Sequence, residues 1–181
     1  MRTAYMKAHY PNEFMAAVLT SYMTKNERLI KYIASCNFNG TPVLPPDINI
    51  SNADFTPVDD GIRFGLVGLR GVGSDVADAI VKEREKNGPY KHLHDFVNRL
   101  SSKICNHRVL EALIKGGAFD STGYTRKQMW YFIEETNLLE NARKHERERA
   151  NGQTTLFDMF GEEEKIDDSF KEDVPKPDGV E

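Results

Sequence analysis

Two glycines separated by one residue stand directly before a helical pattern, and they offer the clearest chemistry in this chain. The pair is Gly71 and Gly73, and apolar residues follow at helical spacing from Val76 to Val81. Because glycine reaches positive φ and lets another molecule approach the backbone, the pattern predicts a tight turn with accessible amides at a helix start. Such a turn attracts anions, phosphate among them. The structural alternative is that one glycine ends a short helix and Ser74 caps the next.

The same design occurs a second time. Residues 66–86 and 93–115 each predict a short helix, a turn and a longer amphipathic helix, although the second turn, Ser101–Lys103, lacks the glycine pair. Two such hairpins around a local two-fold axis would direct both turns at one duplex. The hypothesis is salt-sensitive binding of duplex DNA without sequence readout, and two packed hairpins without a ligand are the alternative. The candidate DNA-binding residues are Arg70, Gly71, Val72, Gly73, Ser74, Lys82, Ser102, Lys103, His107 and Arg108.

A glutamine followed by bulky apolar residues stands near the end of the chain. Gln153 precedes Leu156 and Phe157 by three and four residues, and Phe160 follows in a polar, acidic neighbourhood. This arrangement is typical of a linear peptide that docks its side chains in an apolar pocket of a partner protein. Exposed aromatic residues lower solubility unless a partner covers them, which favours the peptide. The alternative is that these residues cover the surface of their own domain.

Charge is distributed unevenly along the 181 residues. Residues 158–181 hold ten acids and three lysines, whereas residues 1–157 hold 21 bases and 18 acids, so a mildly basic body precedes an acidic tail. No apolar run approaches the roughly 20 residues that cross a bilayer, and the first residues do not resemble a signal peptide. We therefore expect no membrane partner. Two isolated cysteines, Cys36 and Cys105, indicate a reduced, cytoplasmic setting.

The chain offers no catalytic or metal-binding pattern. Phosphate-loop, zinc-protease and serine-hydrolase motifs are all absent from the sequence. His92 and His94 lack a third ligand and are interpreted as surface histidines. The carboxylates between Asp47 and Asp60 lie in a turn-rich segment and are interpreted as turn formers. We predict no catalytic residue, no metal site and no cofactor in this chain.

Local signals predict the elements that position these residues. A second helix starts at Pro11 or Asn12, Asn26 caps a third, and Asp59-Asp60-Gly61 is a hairpin signal between two extended runs. Asn106 starts a further helix, and Thr125 begins a long one. The predicted fold is mainly α. Its parts are a helical subdomain over 1–40, a proline-rich β connector over 41–65, the tandem hairpins and long helix over 66–150, the peptide over 151–161 and a disordered tail over 162–181.

Several runs of residues resemble one protein family. They are Thr3–Ala17, Val43–Asn49, Arg63–Leu66, Gly71–Gly73, Arg108–Ile114 and Gly117–Asp120. From about residue 2 to residue 161 the chain resembles the C-family replicative DNA polymerases, the alpha subunits of bacterial DNA polymerase III. The resemblance implies that residues 1–40 are the end of the fingers and that residues 66–150 are a tandem helix-hairpin-helix domain that grips duplex DNA. It also implies that residues 151–161 bind the beta sliding clamp.

The resemblance assigns roles to both turns and to a region outside this sequence. Gly71, Val72 and Gly73 match the hairpin that meets the phosphate backbone, and Ser101–Lys103 matches a degenerate second hairpin. The family's palm, whose aspartates hold two magnesium ions for nucleotidyl transfer, lies upstream of these residues. We therefore expect a fragment that partners the remainder of the alpha subunit and does not polymerise alone.

In the clamp motif that the resemblance implies, Gln153 enters a polar subsite while Leu156 and Phe157 enter an apolar pocket. A second register instead uses Phe160 as the aromatic anchor. Two other functions stay open at this point. The chain could form part of an active polymerase that a separate palm-bearing chain completes, or a protein-interaction scaffold without DNA contact.

Overall fold

The computed structural model describes residues 2–150. Within them, eight α-helices and one three-stranded sheet confirm the predicted mainly α class. No helix in this part of the chain is long and apolar enough to cross a membrane. The predictions for the peptide over 151–161 and the tail over 162–181 fall outside the described residues.

Three helices open the chain. They are α1 (Arg2–His9), α2 (Pro11–Ser21) and α3 (Asn26–Phe38). Pro11 occupies the first position of α2, where its missing N–H costs no intrahelical hydrogen bond. The prediction that Asn26 caps α3 is wrong, because Asn26 is already helical and Lys25 is the N-cap. The Lys25 carbonyl accepts from the N–H groups of Arg28 and Leu29, which places the helix start one residue earlier than predicted.

The proline-rich connector forms the sheet. Its strands are β1 (Val43–Leu44), β2 (Thr56–Val58) and β3 (Gly61–Arg63), in the order β1-β3-β2. The predicted hairpin is confirmed, since β2 and β3 are antiparallel with Val58 opposite Gly61. Strand β1 pairs in parallel with β3, which the sequence did not predict. Gly61 has a φ of 145°, and a Cβ at this position would clash with the Pro42 carbonyl oxygen.

The hairpin region follows the sheet. It comprises a 3₁₀ helix (Leu66–Gly68), α4 (Ser74–Asn87), α5 (Leu93–Arg99), α6 (His107–Lys115), a 3₁₀ helix (Asp120–Thr122), α7 (Arg126–Glu135) and α8 (Leu138–Ala150). Thr125 and Gln128 form a capping box at the start of α7, which confirms the predicted helix start. The single long helix predicted from Thr125 is instead two helices. Asn137 between them has a φ of 47°, a left-handed conformation that ends one helix before the next begins.

Two hydrophobic clusters support these elements. The smaller one joins α2 and α3 to the sheet through residues that include Leu19 and Ile62. The larger one lies beneath the hairpins, where the rings of Phe96 and Phe119 meet edge to face with centroids 5.2 Å apart. Both rings are fully buried. The hairpins therefore rest on a core of their own, which fixes the turns that α4 and α6 follow.

Candidate nucleic-acid interface

The first turn connects the 3₁₀ helix Leu66–Gly68 to α4. The Val72 N–H donates to the Leu69 carbonyl over 3.0 Å, and Gly71 has a φ of 114°, in the region that favours glycine. The Val72 side chain is buried in the larger core, whereas Arg70 and Gly73 are exposed. The turn is thus anchored through one apolar side chain and presents its backbone to solvent.

The start of α4 has no side-chain cap. Gly73 is the N-cap, with φ −83° and ψ 165°, and Ser74 is the first helical residue. The alternative in which Ser74 caps α4 is therefore wrong, because a cap precedes the helix that it closes. The Gly73 carbonyl accepts from the Ala77 N–H over 3.0 Å, and no described side chain accepts from the first amides of α4. These amides carry partial positive charge and attract an anion.

The structure brings Arg108 beside the first turn. A Cβ built on Gly71 would lie 3.4 Å from the Ala112 Cβ and 3.6 Å from the Cγ and Nε atoms of Arg108. Arg108 belongs to the first turn of α6 and is exposed. Arg70 precedes Gly71 in the chain and is also exposed. Two guanidinium groups can therefore act with the α4 amides on one phosphate backbone.

At the second turn, several backbone amides donate hydrogen bonds to acceptors of the same chain. The N–H groups of Ile104 and Cys105 donate to the Ser101 carbonyl, over 3.0 and 2.9 Å. The Ser102 N–H donates to the Glu146 Oε2 atom of α8 over 3.0 Å. The Asn106 side chain accepts from the Val109 N–H over 3.1 Å and so caps α6, as the sequence predicts. Four amides of the second turn and the start of α6, those of Ser102, Ile104, Cys105 and Val109, thus already have acceptors.

Three side chains around the second turn have distinct environments. Hydrogen bonds from the Ser102 side chain and amide, together with the Lys103 charge, hold the pKa of Glu146 below its ordinary value. Burial raises the pKa of Cys105 to about 12, so this thiol is not a nucleophile at neutral pH. The exposed His107 ring meets Trp130 edge to face, with centroids 5.0 Å apart.

Lys82 is placed apart from the other candidate residues. It is exposed in α4, but it lies eight positions after Ser74, which is about 12 Å along the helix axis. Arg70, the two glycines and Arg108 form one group at the first turn, and Ser102 and Lys103 form another at the second. The structure therefore places these residues in two groups and leaves Lys82 apart, while His107 begins α6 and contacts Trp130.

Arg99 is a positioning residue that the sequence did not reveal. Its guanidinium donates to the Gly88 carbonyl over 2.8 Å and to the Glu83 carboxylate over 3.2 Å, and it lies over the Tyr90 ring at 4.4 Å. These contacts join the end of α4 to α5, and so fix one hairpin relative to the other. In the sequence, Arg99 has only the pattern of a basic residue in the last turn of a helix.

The histidines and carboxylates do not assemble a metal site. Among residues 2–150, no group of three or more His, Cys, Asp or Glu residues could hold a metal ion. His92, interpreted as a surface histidine, is half-buried and caps α5 by accepting from the Asp95 N–H over 3.1 Å. Burial lowers the pKa of His92.

Comparison with known proteins gives consistent matches to one motif and one subunit. A family model described as a helix-hairpin-helix motif matches residues 40–129, which include both turns. The chain is 45% identical over 159 residues to the DNA polymerase III subunit alpha of Saccharopolyspora erythraea, covering 88% of this chain and 13% of that relative. It is 40% identical over 169 residues to the subunit from Borreliella burgdorferi, covering 93% and 15%. The chain thus spans a small part of these curated relatives.

Proposed function

Because this chain is homologous to one segment of the DNA polymerase III alpha subunit and contains a helix-hairpin-helix motif, we propose that it holds duplex DNA without reading its sequence. The observation that carries this proposal is the uncapped start of α4 beside Arg108. Amides and guanidinium groups are the usual partners of phosphate oxygens, and such contacts carry no sequence information.

Gly73 gives independent support. Its φ of −83° suits any residue, and a Cβ at this position would meet nothing within 4 Å. The fold of the described residues therefore does not require glycine here. A glycine whose Cβ space is empty leaves room for another molecule to approach the amide closely, as a phosphate group does.

A titration of the chain with a labelled duplex tests the DNA proposal. We expect the affinity to fall steeply between about 50 and about 500 mM salt, because each neutralised phosphate releases counterions. Two duplexes of unrelated sequence should bind equally well. Equal affinity at both salt concentrations, or a strong preference for one duplex, would contradict the proposal.

We further propose that the chain tethers a polymerase to its sliding clamp in the cytoplasm. This part rests on the residue types of Gln153, Leu156 and Phe157, which lie outside the described residues. A weak peptide contact and weak phosphate contacts on one chain raise each other's effective concentration, so together they hold DNA longer than either alone. In this proposal the chain is non-catalytic, and the remainder of the alpha subunit supplies the palm and its magnesium.

A pull-down with purified clamp tests the tether. Changing Gln153, Leu156 and Phe157 together to alanine should abolish capture of the clamp. Phe160→Ala is the comparison variant, since it weakens capture only if the second register is used. Full capture by the triple variant would show that the clamp contact lies elsewhere in the chain.

A further inference from the structure

The acceptor for the Ser102 amide comes from a distant part of the sequence. Glu146 stands 44 residues after Ser102, yet its Oε2 atom lies 3.0 Å from the Ser102 nitrogen. The Ser102 side chain and the charge of Lys103 also act on this carboxylate. A backbone amide that donates to an anionic oxygen at a hairpin turn is the kind of donor that binds a phosphate group of DNA.

Helix α8 packs on the larger core through its first half. Its apolar contacts with the larger core come from Leu138, Leu139 and Ala142, all near the start of the helix. From Arg143 to Arg147 every residue is exposed. Elements with few buried apolar contacts open at low free-energy cost. The end of α8 can therefore move away from the turn while its start stays packed.

Exposed cations lie near Glu146 in the sequence of α8 and in the second turn, and they would attract a polyanion to this surface. Arg143, Lys144 and Arg147 are exposed on the same half of α8, and Lys103 is exposed in the turn itself. A concentration of one sign of charge raises the local concentration of the opposite ion. Glu146 is therefore an acidic group among exposed cations, and its carboxylate accepts from an amide of the second turn.

We propose that the Glu146 carboxylate occupies a phosphate position at the second turn, and that duplex DNA must displace it to engage this turn. The proposal rests on the DNA-binding function proposed above and deepens it. When DNA is absent, the Glu146 carboxylate covers the second turn. The second hairpin therefore contacts DNA only after this carboxylate has moved away.

The amide resonance of Ser102 tests the proposal directly. The full chain, labelled with ¹⁵N, is titrated with inorganic phosphate as wild type, Glu146→Ala and Glu140→Ala. Glu140 is the matched control, since it is an exposed acid on the same helix, six residues before Glu146. We expect phosphate to shift the Ser102 resonance in Glu146→Ala and not in the other two proteins.

A labelled duplex supplies the second measurement. Both variants lose one negative charge, so a difference between them reports the displacement and not the net charge. We expect Glu146→Ala to bind about three- to fivefold more tightly than Glu140→Ala, the scale of an exposed ionic contact. Glu146→Gln, which retains a neutral acceptor, should lie between them. Circular dichroism confirms that each variant keeps its helices.

The outcomes separate the two proposals. If phosphate does not shift the Ser102 amide resonance of Glu146→Ala, the proposal that Glu146 occupies a phosphate position is wrong. The proposal is also wrong if Glu146→Ala binds the duplex no more tightly than Glu140→Ala, because Glu146 would then only hold α8 in place. If phosphate shifts the resonance but no variant binds duplex DNA, the proposed function fails while the anion position stands.

Discussion

The two hairpin turns lie at equivalent places in their motifs, but they differ in whether side chains of the chain accept hydrogen bonds from their backbone amides. At the first turn, Gly73 precedes α4 and no described side chain caps the helix. At the second turn, Asn106 caps α6 and Glu146 accepts from the Ser102 amide. In the proposed DNA contact, the hairpin fold alone therefore does not make a phosphate site. The site also needs backbone donors that the chain has left without acceptors.

The first turn contains a second contrast, between its two glycines. Gly71 has a φ of 114° that a side chain rarely adopts, whereas Gly73 has an ordinary φ and an empty Cβ position. The first glycine is therefore required by the fold, and the second leaves space for a ligand. Substitutions at the two positions should separate stability from binding.

The largest expected effect is that of Gly71→Val. Forcing a β-branched residue to this φ costs about 2–3 kcal/mol of the free energy of unfolding, because the turn cannot relax without moving the buried Val72. Urea denaturation measures this change. The duplex affinity should fall with it. Unchanged stability would show that the turn adopts another conformation in solution.

The next effect is that of Gly73→Val, the matched change in the same turn. We expect the free energy of unfolding to stay within about 0.5 kcal/mol, because the Cβ enters open space. The duplex affinity should fall about tenfold, or about 1.4 kcal/mol, because the side chain keeps phosphate from the α4 amides. Retained affinity would place the DNA contact away from this turn.

Much of the fold could be predicted from the sequence, because the signals for its elements are local. Helix starts at Pro11 and Asn106 and the hairpin at Gly61 depend on residues within a few positions of each other. The helix starts predicted from Asn26 and Ser74 each differ by one residue from those observed, because local sequence signals locate helix ends only to within one or two residues.

The closed state of the second turn could not be predicted in this way. The Ser102 amide meets Glu146 only because α7 and α8 fold back over the hairpins, and a break at Asn137 replaces the expected long helix. The contacts of Arg99 with the end of α4 likewise span 11 to 16 residues. Such meetings depend on tertiary packing, which propensity and periodicity do not encode.

Asn106→Ala addresses the second hairpin. Removing the side-chain acceptor of the Val109 amide should lower the free energy of unfolding by about 1 kcal/mol, the usual effect of losing an N-cap. Thermal or urea unfolding measures it. The duplex affinity should change little while Glu146 still closes the turn. A large loss of affinity without loss of stability would indicate that α6 already contacts phosphate through this end.

The smallest expected effect comes from single cations, and it sharpens the assignment of the first turn. Arg108 lies beside Gly71, whereas Lys82 is exposed on α4 about 12 Å from the helix start. Arg108→Gln should weaken duplex binding about threefold and reduce the slope of log affinity against log salt by about one. Lys82→Gln removes the same charge and should change the slope less. If the two variants behave alike, the cations act through net charge, and the juxtaposition of Arg108 with the turn has no part in binding.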